Sequence, residues 1–318
     1  MKRLVGWMAA ALLAGAVLQG NAWAVQPLLT PAELKALQGG AGVRIIDIRS
    51  PKAYDDRHIP GAVSAPYGTW RGPAGNPGEL PDLPRLTGLV QRLGLTPEVH
   101  AVVVSSGDDA TDFGAAARVV WTLKALGLKQ LSVLNGGVQA WVAAGMALDP
   151  MPEVVQASTY TPVLDRSLVA TREELLSQTA GSVRLLDARP AAFFRGETRH
   201  QAALVPGTLK GAVNLEYTRW FAPDSSAMLP ADEIKRLAAE SSAAGDAPVV
   251  SFCNTGHWAA INWFALSEVA GQQGVKMYPG SLVDWSQSPG AAQAMDNVPG
   301  RAGQLWVDFK LWWARTFD

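Results

Sequence analysis

Apolar and polar positions follow two alternating rhythms along this chain. Thr30-Pro31-Ala32-Glu33 opens a stretch of helical spacing that ends near Gly39-Gly40, and the apolar run Val43-Arg44-Ile45-Ile46-Asp47-Ile48-Arg49 then predicts a buried strand. The same order returns in the second half. Thr171-Arg172-Glu173-Glu174 opens a helix ending near Gly181, followed by the strand Val183-Arg184-Leu185-Leu186-Asp187-Ala188-Arg189. Both openings are capping boxes, in which a Thr hydroxyl faces the third helical N–H and a Glu returns a bond to the cap. Their repetition in register, each followed by a strand ending Asp-x-Arg, marks an internal duplication.

The parallel continues with His58-Ile59-Pro60-Gly61-Ala62-Val63 against Thr208-Leu209-Lys210-Gly211-Ala212-Val213, the second preceded by an insertion of about ten residues. Val102-Val103-Val104-Ser105 matches Pro248-Val249-Val250-Ser251-Phe252, each leading through a polar turn into an Ala-rich amphipathic helix. Gly136-Gly137 before Trp141 matches Gly280-Ser281 before Trp285. Short strands alternating with helices predict an α/β protein of two similar domains, each a parallel sheet flanked by helices. The expected division is residues 25–148, a Pro-containing linker over 149–163, and residues 164–318.

Residues 1–24 stand outside this pattern. Lys2 and Arg3 precede an apolar run over 4–18 and the small-x-small exit Ala22-Trp23-Ala24, the build of a cleavable secretory signal. The run is too short for a membrane span. The expectation is a periplasmic protein without a stable span after signal removal. Its 27 basic and 28 acidic residues give no basic face for nucleic acid. A length of 318 residues suits two domains with their own cores.

The single Cys excludes an intramolecular disulfide and a multi-thiolate zinc site. Cys253 directly follows an apolar strand and opens Cys253-Asn254-Thr255-Gly256-His257-Trp258, before the helical run 259–266. Ligands of open parallel sheets bind outside the carboxyl ends of strands. A tight loop there aims N–H groups inward and adds the positive end of a helix, a cradle that favours thiolate over thiol.

With the Asp47/Arg49 and Asp187/Arg189 strand ends, the segment 58–62, the Cys253-x-x-Gly256 loop and the two Gly-to-Trp closings, the chain resembles the rhodanese family of sulfurtransferases, as a tandem of two rhodanese-like domains. The resemblance implies a non-catalytic first domain, with Ser105 and Ser106 near the equivalent position, and a catalytic Cys253 in the second. It further implies that the Cys253 thiolate takes a sulfane sulfur from thiosulfate or a similar small donor. The resulting persulfide would yield its sulfur to cyanide or a thiol, a protein thiol among the compatible acceptors. Neither metal nor organic cofactor is implied. The N–H groups of Asn254, Thr255, Gly256, His257 and Trp258 would hold the charged sulfur.

The chain departs from the family pattern in one respect. Where many thiosulfate users carry loop cations, it has Asn254 and Trp258. Phe193 stands where a further Arg is usual, which leaves Arg195, Arg199 or His200 to supply the charge. The Cys-Gly-Ser/Thr-Gly loop of mercaptopyruvate users is absent. A phosphatase would need Arg six positions beyond the Cys, and Ala259 is there. A catalytically lapsed module that binds a thiol, an anion or a partner protein is the alternative reading. Asp187 and Arg189 are expected to brace the loop as an ion pair, Asp47 and Arg49 to do the same in the first domain, and Trp258 either to wall the pocket or to join the core. The apolar spacing of residues 305–313 predicts an amphipathic helix docked across the two domains.

Overall fold

The computed structural model describes residues 25–317 except 41, 179, 180 and 246, so the expected signal at 1–24 lies outside the described residues. The first sheet is built from β1 (Leu28–Leu29), β2 (Val43–Asp47), β3 (Ala62–Ser64), β4 (His100–Val104) and β5 (Leu131–Leu134) in the order β1-β5-β4-β2-β3, all parallel. Its helices are α1 (Pro31–Leu37), α2 (Pro51–Asp56), α3 (Leu83–Arg92), α4 (Ala110–Ala125) and α5 (Gly137–Ala143). The second half contains β6 (Arg184–Asp187), β7 (Thr208–Leu209), β8 (Val213–Asn214), β9 (Val249–Phe252), β10 (Val275–Met277) and β11 (Met295–Asp296). Four of these form a parallel sheet, β10-β9-β6-β8, while β7 and β11 pair antiparallel beside it. Its helices are α6 (Arg172–Ser177), α7 (Ala191–Phe194), α8 (Ala231–Ala239), α9 (Trp258–Trp263), α10 (Ser281–Ser286) and α11 (Arg301–Phe317).

Both capping boxes form. Glu33 N donates to Thr30 Oγ1 and Thr30 N to Glu33 Oε2, and the pair Thr171 and Glu174 repeats the exchange at 3.2 Å each way. The strands β2 and β6 stop at Asp47 and Asp187, two residues before the predicted ends. Each aspartate carboxylate accepts the N–H of the Arg two positions on, at 2.9 and 3.0 Å, and so turns the chain out of the ladder. The helical run expected over 259–266 lies wholly within a longer one: α9 holds six residues and widens into a π-helical turn over Phe264–Val269.

The largest core runs through the boundary between the halves, where α4 lies against α9. Phe113 on α4 meets Phe221 and Phe264 of the second half edge to face, at ring separations of 5.5 and 5.6 Å. Helix α11 docks differently from expectation. Its polar flank bonds to the insertion that only the second half carries, Asp308 to Arg199 at 2.8 Å and Lys310 Nζ to Glu197 O at 2.7 Å. Val307 is buried, while Leu305, Trp306, Phe309, Trp312 and Trp313 stay 45–62% exposed. No helix among the described residues is long and apolar enough to cross a membrane.

Candidate active site

Cys253 sits immediately beyond β9, at the carboxyl end of the second sheet, and is 1% exposed. Its loop is held from the α10 side by two backbone bonds, Leu282 N to Cys253 O and Val283 N to Asn254 O, at 3.1 and 3.0 Å. Ser281 completes the clamp. Its Oγ accepts from Cys253 N at 3.0 Å and from Gly256 N at 3.2 Å, and donates to Tyr278 O at 2.8 Å. Ser281 does this at φ +54°, a left-handed conformation that a β-carbon disfavours, in a fully buried position. The Gly256 N–H expected to face the sulfur is therefore spent on Ser281. The N–H groups of Asn254, Thr255 and His257 have no acceptor among the described residues.

Gly256 is required on two counts. Its φ is +66°, and an added β-carbon would strike Arg118 and lie 2.6 Å from Pro279 O. On the opposite side Arg189, 1% exposed, makes a bidentate pair with Asp187 and extends Nη1 to Asn254 Oδ1 at 3.3 Å. Thr208 and Asn214 hold the same aspartate and its neighbouring carbonyls. The pair thus fixes the side chain that follows the sulfur.

His257 turns into the first half, and Trp258 packs within the second while reaching the first through its indole nitrogen. His257 Nε2 lies 2.7 Å from Thr111 O, a pure acceptor, so Nε2 carries the proton and Tyr67 OH donates to Nδ1 at 2.8 Å. Burial, then the charge of Arg71, lowers the imidazole pKa to about 4. A neutral ring fixed at both nitrogens bolts the halves together. The Trp258 indole stacks on Tyr217 with 4.9 Å between centroids, meets Phe193 edge-on, and points Nε1 at Thr111 Oγ1.

The charge sought near residues 195–200 is engaged elsewhere. Arg195 is exposed and pairs with Glu197 at 2.6 Å. Arg199 is taken by Asp308 and by the Ala203 carbonyl. Burial, and then Arg71 and Arg199, keep His200 below the usual histidine range. The cation at the loop comes instead from the first half. Arg118, fully buried on α4, donates to Gly256 O at 3.1 Å and to Gly78 O at 2.8 Å. Burial and then Arg71 push its pKa down to about 9, against the pull of Tyr67 and Cys253, so it remains charged at neutral pH. Gly78 lies on an arm, residues 71–80, laid over the second half. Asn76 Nδ2 reaches Asp284 at 3.4 Å, and Gln287 Nε2 donates to Gly75 O at 3.0 Å.

Sequence reasoning missed Ser281, Tyr67, Arg71 and Arg118. Two signals were present. Tyr67-x-x-Trp70 repeats as Tyr217-x-x-Trp220, and Arg118 is the one cation amid the apolar run 113–121. Among the described residues no group of three or more acidic, His or Cys side chains is placed to hold a metal.

A lone thiol at a sheet's carboxyl end, inside a pinned loop beside a duplicate domain, gives a two-domain α/β protein one candidate centre. The Rhodanese-like domain profile matches residues 30–144 and 171–288, and the chain belongs to the rhodanese family. It is 31% identical over 267 residues to a thiosulfate sulfurtransferase of Azotobacter vinelandii, covering 82% of this chain and 94% of that one. To the 3-mercaptopyruvate sulfurtransferase of Mus musculus it is 26% identical over 278 residues, 83% of this chain and 89% of the other. Among solved structures, the 3-mercaptopyruvate sulfotransferase SseA of Escherichia coli superposes with a TM-score of 0.69 at 23% identity, covering 81% of this chain and 99% of that one. An anaerobic ergothioneine biosynthesis enzyme from Chlorobium limicola, bound to trimethyl histidine, gives 0.73 at 20% identity over 83% and 69%. These two likenesses speak to the fold.

Proposed function

We propose that the protein is a sulfurtransferase that carries sulfane sulfur as a persulfide on Cys253. The observation that supports this best is the setting of the thiol. It ends a parallel strand, its loop is clamped by Ser281 and Arg189, and a buried cation from the other domain holds Gly256. In the donor step the Cys253 thiolate attacks the outer sulfur of thiosulfate. A Cys–S bond forms, the S–S bond of thiosulfate breaks, and its electron pair leaves with sulfite. In the acceptor step cyanide or a thiol attacks that outer sulfur, and the pair returns to Cys253 as thiolate. Each step moves one sulfur atom and needs no external oxidant, and the two together predict ping-pong kinetics.

The unspent N–H groups of Asn254, Thr255 and His257 are the donors available to the persulfide anion. Export to the periplasm, read from residues 1–24, belongs to the same proposal, and sequencing the mature N-terminus tests it near Val25. The transfer itself is tested by intact mass after incubation with thiosulfate. A gain of one sulfur, reversed by cyanide and missing in Cys253→Ala, is the expected result. No adduct with any sulfane donor would leave an anion- or thiol-binding module in its place.

A further inference from the structure

Between the arm and the sulfur loop lie two guanidinium nitrogens that are buried without an acceptor among the described residues. Arg71 follows the turn Tyr67–Trp70, its guanidinium lies 5.2 Å over the Tyr67 ring, and its Nη1 is buried without a partner. The same tyrosine bonds to His257 of the sulfur loop, which fixes Arg71 on the first-domain side of that loop. Arg118 Nε is a second buried donor with no acceptor, on the guanidinium that holds Gly256 O. A buried guanidinium N–H left unmade is costly, and two in neighbouring arginines call for an acceptor that carries negative charge. The acids acting on Arg118 are Tyr67 and Cys253 itself, and Asp187 and Asp284 are taken by Arg189 and Arg172.

Resting on the sulfur-carrier reading, we propose that Arg71, backed by Arg118, is the anion anchor of the donor step. Its free Nη1 takes a sulfonate oxygen of thiosulfate, or of an organic thiosulfonate anion, and so aims the outer sulfur at Cys253. The first domain thereby supplies the cation that the loop itself lacks at Asn254 and Trp258. The anchor belongs to the donor half of the cycle: it holds the group that leaves as sulfite and has no part in discharging the persulfide to a thiol.

The test is thiosulfate binding to Cys253→Ala by titration calorimetry, with and without Arg71→Gln. Loss of one charge-assisted contact predicts binding weaker by about tenfold to a hundredfold, with Arg71→Lys between the two. With Cys253 present, Arg71→Gln should raise the thiosulfate concentration for half-maximal loading by a similar factor, while discharge of the loaded persulfide by dithiothreitol stays within about twofold. Undiminished thiosulfate binding in Arg71→Gln, or an equal slowing of loading and discharge, would overturn the anchor. Binding that depends on Arg71 in a chain that never takes up sulfur would keep the anchor and overturn the carrier reading instead.

Discussion

Ser105 and Cys253 occupy the same place in their two domains. Val138 N and Gln139 N donate to Ser105 O and Ser106 O just as Leu282 N and Val283 N donate to Cys253 O and Asn254 O. What fills the two loops differs. In the first domain Asp112 turns its carboxylate inward and takes Gly107 N at 2.5 Å, and burial pushes its pKa up. The matching position in the second domain is Ala260, which leaves that loop with no acid of its own. Gly137 at φ +59° stands where Ser281 stands at φ +54°. One copy has closed its anion cradle with its own side chain, beside a cavity of about 300 Å³. The other leaves the N–H groups of its loop without a carboxylate of its own, and pins two of them with the Ser281 hydroxyl where the first has glycine.

The sharpest break of this comparison is exchange of the two key atoms. Cys253→Ser should abolish sulfur uptake, and adding Ser105→Cys should not restore it, with mass-detected loading at least about 10³-fold below the native rate. A double variant that loads would show that the carboxylate of Asp112 does not matter. Next come the two Asp-x-Arg pairs. Arg189→Ala strands a buried aspartate and should cost about 3–5 kcal/mol in urea unfolding as well as sulfur uptake. Arg49→Ala, whose partner Asp47 is likewise buried but whose fork reaches Arg57 O rather than a loop side chain, should leave sulfur uptake intact.

Ser281→Gly separates backbone from hydroxyl, because glycine accepts the left-handed φ without strain. Two amides lose their acceptor, so a stability loss of about 1–3 kcal/mol and slower loading are expected, against no change in either if the clamp is idle. The smallest effect concerns pH. His257 has a folded pKa near 4, below its unfolded value near 6.5, so the unfolded chain binds more protons between these limits. Stability is therefore complete above about pH 6.5 and falls as pH drops toward 4, by about 1–2 kcal/mol once the ring's partial exposure is allowed for. His257→Gln should flatten that slope, and a slope unchanged by the substitution would reassign it.

The duplication was legible because its marks are local. A capping box spans four residues and an Asp-x-Arg turn three, so both survive as short strings whatever surrounds them. The Cys253 loop was legible for the same reason, and so was the brace from Arg189, two residues from its aspartate. Arg195 was misplaced by the same preference for the near: Glu197, two positions on, takes its charge. Tyr67, Arg71 and Arg118 lie more than 130 residues before Cys253, and periodicity says that a face of α4 is buried without saying against what. Helix α11 shows the converse. Its apolar stripe predicted docking, but the ion pair to Arg199 and the bond to Glu197 set its seat, and both depend on the insertion.

Arg118 grips Gly78 of the arm and Gly256 of the sulfur loop with the two ends of one guanidinium. Any displacement of the arm would break the Gly78 bond and free half of the fork that steadies Gly256. One buried side chain of the first domain, the copy that has no thiol of its own, thus ties the position of the arm to that of the loop around Cys253.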